Sequence, residues 1–324
     1  MPQDIDDPRD AYRSPREEPI RPLPLTDPRS EASRASEGSV SHSAPSQLSG
    51  GGVAVDEELR QWRLQSRSPR LCVRFQAGAW EEPSPAGLAR EMRFSLYVNE
   101  LELVSMLCTP QKLDYLALGF LYSEGIIRGL EDVVSLRVCV DDALIDVRLT
   151  RSVELPQTRT LTSGCGGGVA FDLTSASLPV VDASARVDPE QVIELMKLLE
   201  TSQPGGRGRR GTHVSALSDG KRLLVTAEDV GRHNTLDKIT GECLARGLPT
   251  AGHLLLSTGR ISWEMLTKAA RMQVAVVASR NSPTDHVAAL AEQLGIGVLG
   301  YVRGGSLTVF AGEHRVRGCP PLRH

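Results

Sequence analysis

LLLSTGRISWEMLTKAARMQVAVVASRNSPTDHVAALAEQLGIGVLGY, residues 254–301, sets the fold class. Leu254 to Ser257, Val274 to Ala278 and Gly297 to Tyr301 are short, largely apolar runs. Between them, Ser262 to Met272 and Thr284 to Leu294 repeat their apolar residues at helical spacing. Strands alternating with helices are the pattern of βαβ units, which predicts an α/β fold with a mostly parallel sheet and flanking helices.

Outward from that stretch, Leu307 to Phe310 reads as a last strand and Asn234 to Arg246 as a preceding helix. Thr212 to Leu217 and Arg222 to Thr226 read as paired strands about an Asp219-Gly220 turn. Residues 188–200 carry Val192, Leu195, Met196 and Leu199 at helical spacing. Further upstream, the alternation of Phe94, Leu96 and Val98, the Asn99-Glu100 turn and the return through Leu101 and Leu103 predict a hairpin. Thr109-Pro110 reads as the cap and first residue of a helix with Leu113, Leu116, Ala117, Phe120 and Leu121 on its apolar stripe, stopped at Gly125. Two strand-like runs follow, Val133 to Val140 and Ala143 to Leu149. The expected organisation is a disordered Pro/Ser-rich tail over 1–60, a smaller amino-terminal α+β part over 61–165, an α/β domain over 166–312 and a carboxyl-terminal tail over 313–324.

The chain has 37 Lys and Arg against 40 Asp and Glu, and the whole net charge of −3 resides in its first fifty residues. The remainder is neutral, which argues against a broad nucleic-acid-binding surface. The basic segment Gly205 to Gly211 has no interleaved aromatic residue, so it too gives little support to RNA binding. No apolar run approaches the ~18 residues of a membrane span, and no apolar signal region opens the chain, so the expectation is a cytoplasmic protein.

Of the six cysteines, Cys72, Cys108, Cys139 and Cys243 sit among apolar or strand-like neighbours and read as buried and inert, while Cys319 lies in the polar carboxyl-terminal tail. No C-x2-C pair occurs, and no intrinsic metal site is expected. Cys165 differs. It stands in Ser163-Gly164-Cys165-Gly166-Gly167-Gly168, where glycines let successive backbone N–H groups turn toward a sulfur anion and favour the thiolate.

Ligands of open α/β sheets bind outside the carboxyl ends of the strands. The loops there read Ser257-Thr258-Gly259-Arg260, Ser279 to Thr284 with Arg280, and Arg303-Gly304-Gly305-Ser306. Each joins a guanidinium to hydroxyl or amide groups and turn residues, a phosphate-binding chemistry once the loops converge. Glu228-Asp229-Val230-Gly231-Arg232-His233-Asn234 sits at a strand-to-helix turn and has the same character. His213 reads equally well as a contributor to that area or as an ordinary strand histidine.

Taken together, these segments closely resemble the FdhD family of formate dehydrogenase accessory sulfurtransferases, over residues 93–312. The matching stretches are Val98-Asn99-Glu100, Cys108-Thr109-Pro110, Leu116 to Ile127, Ser163 to Gly166, Gly211-Thr212-His213, Glu228 to Asn234 with Asp237-Lys238, Ser257 to Arg260, and Tyr301-Val302-Arg303-Gly304-Gly305. The resemblance implies a larger part similar to the cytidine deaminase fold, a homodimer, and a carrier that takes sulfur as a persulfide from a cysteine desulfurase. It implies transfer of that sulfur to the molybdenum bis(molybdopterin guanine dinucleotide) cofactor, bound as substrate, before insertion into the formate dehydrogenase catalytic subunit. Cys165 would bear the persulfide. Tyr301, Val302, Arg303, Gly304, Gly305 and Ser306 would bind the cofactor, with Ser257, Thr258, Gly259, Arg260, Arg232, His233, Asn234 and His213. A cofactor-binding chaperone without sulfur chemistry is the alternative. Gly168 stands where many family members carry a second cysteine, and the H-x-E and P-C-x-x-C signature of zinc deaminases is absent.

Overall fold

The computed structural model describes residues 67–152, 160–161, 169–170, 178–181, 184–201 and 211–322. The predicted tail over 1–60 and the Cys165 loop lie outside them. β1 (Arg67–Cys72), β2 (Phe75–Gln76), β3 (Ala79–Trp80) and β4 (Ser84–Ala89) make two nested antiparallel ladders, β1 with β4 and β2 with β3. The sequence pattern, read as ordered only from Arg93, misses this ribbon. Leu71, Phe75, Trp80 and Leu88 remain exposed on it, so no buried face imposes an apolar alternation.

The predicted hairpin is present as β5 (Met92–Val98) and β6 (Leu101–Cys108), with Asn99 and Glu100 at φ 48 and 73, the paired positive values of a tight two-residue turn. α1 (Leu113–Ser123), β7 (Val133–Cys139) and β8 (Leu144–Leu149) complete a first lobe whose sheet runs β6-β5-β8-β7. Leu116, Phe120 and Leu121 of the helix share a core with Phe94, Leu96, Ile145 and Val147. Each such buried side chain contributes about 1.5–3 kcal/mol. Thr109-Pro110 does not cap α1. Lys112, at φ 54, is the N-cap, and the Thr109 N–H donates instead to Asp229 Oδ2 at 3.0 Å. Gly125 ends the helix as expected, at φ 71.

β9 (Thr160–Leu161) pairs antiparallel with β10 (Val169–Ala170), and residues 162–168 connect them. The second lobe comprises α2 (Pro189–Thr201), β11 (His213–Ser218), β12 (Leu223–Asp229), α3 (Arg232–Arg246), β13 (Leu254–Ser257), α4 (Trp263–Arg271), β14 (Val276–Ser279), α5 (Asp285–Leu294), β15 (Gly297–Arg303) and β16 (Ser306–Ala311). Its sheet order is β12-β11-β13-β14-β15-β16. The sheet is mixed, parallel at β13-β14-β15 and antiparallel elsewhere, because the hairpin turns at Asp219-Gly220 and Gly304-Gly305 fold each outer strand back on its neighbour.

Side-chain alternation divides the strands between two cores. Leu255, Val277 and Val298 pack toward α3, α4 and α5, while Leu254, Leu256, Val276 and Ala278 pack toward α2. Residues 313–319, expected as a tail, are built into the second lobe. Val187 bridges Val316, and the buried Arg315 guanidinium donates to the carbonyls of Val181 and Gly295. α1 and α3 cross closely between the lobes, glycine against backbone at Gly119 and Gly241.

Candidate functional site

The carboxyl ends of β13, β14 and β15 do bring their loops together. Asn281 is the tie: its side-chain amide donates to Thr258 O at 2.7 Å, and its carbonyl accepts from Tyr301 N at 3.1 Å. Beneath the loops runs a row of buried serines in register across three strands, Ser215, Ser257 and Ser279. Ser215 donates to Ser257 Oγ at 3.0 Å, Ser257 Oγ accepts from Gly259 N at 3.1 Å, and Ser279 donates to Gly259 O at 2.6 Å. Ser257 is therefore a buried brace of the loop, and Thr258 Oγ1, accepting from Val214 N at 3.0 Å, anchors it to β11.

His213, Arg232, His233 and Gly259 meet at this edge. β11 starts here and β12 ends here, so His213 lies opposite Asp229 in the antiparallel register, and α3 begins three residues after that aspartate. Gly259 has no room for a side chain: a Cβ would sit 2.8 Å from Arg232 Cβ and 3.4 Å from His213 Nδ1. Burial, reinforced by Arg232 and His233, pushes the His213 imidazole below its ordinary range, with Asp229 opposing. α3 has no side-chain cap, so its first-turn amides add positive potential at the same place. The edge thus offers two imidazoles, a buried guanidinium and a helix amino terminus, a set suited to phosphate oxygens.

Tyr301 to Ser306 forms the outer tip of the β15-β16 hairpin. Gly304 and Gly305 take φ 60 and 80, and Ser306 Oγ donates to Arg303 O at 3.0 Å to close the turn. Arg303 stacks 5.5 Å from the ring centre of Tyr301, and both are exposed. Val302, in contrast, is buried under α2, as strand alternation requires. Arg260 is exposed beside this group. Arg280 points elsewhere and pairs with Glu200 at the end of α2, at 3.1 Å.

The rest of the 228–238 segment holds the lobes together. Asp229 and Lys238 form an ion pair at 2.5 Å with both side chains wholly buried. Lys238 also donates to Thr109 O at 2.9 Å, and Asp229 Oδ1 accepts from Gly231 N and Asn234 Nδ2, each at 2.8 Å. Asn234, expected as a cofactor ligand, gives its amide to this joint and to Leu107 O at 2.8 Å. Asp237 pairs with Lys268 of α4 at 2.6 Å and accepts from Ser123 of α1 at 2.9 Å. Sequence reasoning passed over Glu264 and Lys268, which look like an exposed i,i+4 pair but are buried; the apolar residues on both sides of them, Met265, Leu266, Ala269 and Ala270, were the available signal.

A model of the FdhD/NarQ family matches residues 89–317. The chain belongs to the FdhD/NarQ family. It is 35% identical over 240 residues to the sulfur carrier protein FdhD of Bacillus subtilis, covering 71% of this chain and 90% of that one. The corresponding protein of Listeria monocytogenes serotype 4b is 33% identical over 251 residues, 75% of this chain and 96% of that one. The fold is shared with a formate dehydrogenase accessory protein of Desulfotalea psychrophila, at a TM-score of 0.64 and 24% identity, over 77% of this chain and 99% of that one.

In this FdhD/NarQ chain the described cysteines divide by environment. Cys108 and Cys243 are buried, and burial pushes both thiols up to about 12. Cys72 is exposed on the β1–β4 ribbon, and Cys139 is half-buried. Cys319, expected as incidental, packs against the α2 core. A cleft of about 500 Å³ lies at the opposite sheet edge, between Tyr122, Arg128, Thr250, Arg271 and Gln273, and no residue expected to bind the cofactor lines it. No helix among the described residues is long and apolar enough to cross a membrane.

Proposed function

We propose that this chain is a cytoplasmic, homodimeric sulfur carrier that takes sulfur from a cysteine desulfurase and delivers it to the molybdenum of a bis(molybdopterin guanine dinucleotide) cargo destined for formate dehydrogenase. The observation that carries the reading is the 35% identity to a sulfur carrier protein across 90% of that protein's length. The edge where His213, Arg232 and His233 meet, with the guanidinium groups of Arg260 and Arg303 exposed nearby, supports a cargo rich in phosphate. An averaged neutral charge is compatible with such a focused site.

In the first step the Cys165 thiolate attacks the outer sulfur of the desulfurase persulfide. The donor S–S bond breaks, the desulfurase thiolate leaves, and Cys165 carries the persulfide. Converting that outer sulfur to sulfide takes two electrons. Gly168 leaves no thiol three residues on, so an external thiol attacks the inner sulfur, sulfide passes to the cargo, and a mixed disulfide with Cys165 remains.

The test is intact-mass measurement after incubation with a cysteine desulfurase and cysteine. Wild type gains one sulfur mass and Cys165→Ala does not; equal gain in both, or none in either, refutes the carrier role. If Cys165→Ala restores formate dehydrogenase activity in cells lacking the native protein, the chaperone reading takes its place.

A further inference from the structure

The β1–β4 ribbon adds nothing to the interior of either lobe: among the described residues, none of its side chains enters a core. An isolated two-stranded ribbon is marginally stable in water, because neither of its faces is covered. This one nevertheless carries apolar side chains where solvent reaches them. Leu71 is 76% exposed and Trp80 72%, and Val73 and Phe75 are exposed as well. Phe75 and Trp80 pair across the Ala77-Gly78 turn with ring centres 5.0 Å apart. A chain with only three tryptophans and five phenylalanines thus presents one of each at an uncovered tip. Exposed aromatic side chains gathered on a protruding element have the composition of an interface core.

A partner meets this ribbon on a face and not along an edge. Pro69 in β1 and Pro85 in β4 have no N–H to give, which interrupts both outer edges for a further strand. The cross-strand register puts Leu71 and Pro85 on one face, and Cys72, the next residue along β1, on the other with Ser84. The even step from Leu71 to Phe75 carries the first face on to the aromatic pair.

Charge identifies the partner. The outgoing arm carries Arg70 and Arg74 and the returning arm Glu81 and Glu82, all exposed. Equal numbers of opposite charges offer little to a nucleic acid or an anionic membrane surface. Arg74 and Glu81 are 4.0 Å apart and largely open to solvent, so both can meet a partner's charge. Two copies laid face to face about a two-fold axis along the strands place each outgoing arm over the other's returning arm. Arginines then meet glutamates in both halves, and the two Phe75–Trp80 pairs come together at the tips. A two-fold axis across the strands would stack arginine on arginine. Size agrees too: residues 67–89 number 23, and one side of a standard interface uses about 20–30.

We propose that the apolar face of the β1–β4 ribbon is the contact between two copies of this chain, anchored by Phe75 and Trp80 and matched by Arg70 and Arg74 against Glu81 and Glu82. The inference rests on the homodimer reading and names the surface that makes it.

Sedimentation equilibrium of the full chain at low salt tests it. Wild type is a dimer, and Trp80→Ser raises the dimer dissociation constant at least about thirtyfold. Thermal melting checks that the lobes of this variant stay folded, as they should when no core loses a side chain. Arg70→Glu with Arg74→Glu makes one all-acidic ribbon, and Glu81→Lys with Glu82→Lys one all-basic ribbon. Each of these is monomeric alone, and an equimolar mixture forms a heterodimer, a result that a merely structural role for the charges would not produce. Should Trp80→Ser fail to fold, the charge variants decide. A Trp80→Ser dimer as strong as wild type, or charge variants that do not associate on mixing, overturns the ribbon contact and leaves the homodimer reading intact. A monomeric wild type removes the homodimer reading and this proposal with it.

Discussion

Replacing Gly119 by Ala tests whether the two lobes are joined as the helix crossing requires. At this position α1 lies directly on the backbone of α3. An added Cβ would sit 2.5 Å from the carbonyl carbon of Asp237 and 2.8 Å from Gly241 N, with the Asp237 carbonyl oxygen nearer still. Ordinary carbon contacts begin near about 3.5 Å, so the helices would have to part by roughly 1 Å. The atoms met are backbone and cannot rotate away. Parting the helices also stretches the Ser123 bond to Asp237 and the Lys112 ion pair with Glu242. Overpacking costs about 1–3 kcal/mol where side chains can yield, and with rigid backbone on both sides the loss should reach at least about 3 kcal/mol. That is a large part of a stability of about 5–15 kcal/mol. Urea unfolding followed by circular dichroism measures it. Gly220→Ala is the comparison: at φ 86 and with open space around it, it should lose only about 1–2 kcal/mol. A Gly119→Ala midpoint equal to wild type would refute the close crossing and, with it, the account of how the lobes are joined.

Two further outcomes are expected from the buried groups. Lys238→Met leaves Asp229 charged and wholly buried, with three N–H donors but no cation, and should cost about 3–5 kcal/mol in the same unfolding assay; a loss below about 1 kcal/mol would contradict the pair's role. Brief alkylation of the native protein at pH 8, read by peptide mass, should label the exposed Cys72 and spare Cys108 and Cys243, whose thiols at about 12 have only about one part in ten thousand as thiolate. Labelling of all three at similar rates would show that the two cores open far more readily than their packing suggests.

Much of the second lobe was legible because its signals are local. Strand Leu254–Ser257 and the hairpin at Asp219-Gly220 appear where apolar runs and turn residues placed them. The helix start at Thr109 was misread for the opposite reason. The Thr109 N–H is taken by Asp229, 120 positions away, and no neighbour of Thr109 announces that. The segment 228–238 shows the same limit more sharply. Arg232 and His233 face the loop edge, whereas Asp229, Asn234, Asp237 and Lys238 bind the lobes together, and one polar composition served both purposes.

The amino-acid order alone determined that this chain alternates strand and helix, that its loops carry guanidinium and hydroxyl groups, and that Cys165 stands apart from its other cysteines. These follow from periodicity, turn chemistry and composition, which act over a few residues. Tertiary structure decided which polar residues are buried braces and which face the edge, and it brought Glu264 to His233 from a different helix. Burial and charge pairing are properties of what surrounds a side chain, and here the surroundings come from segments about thirty to more than one hundred residues distant.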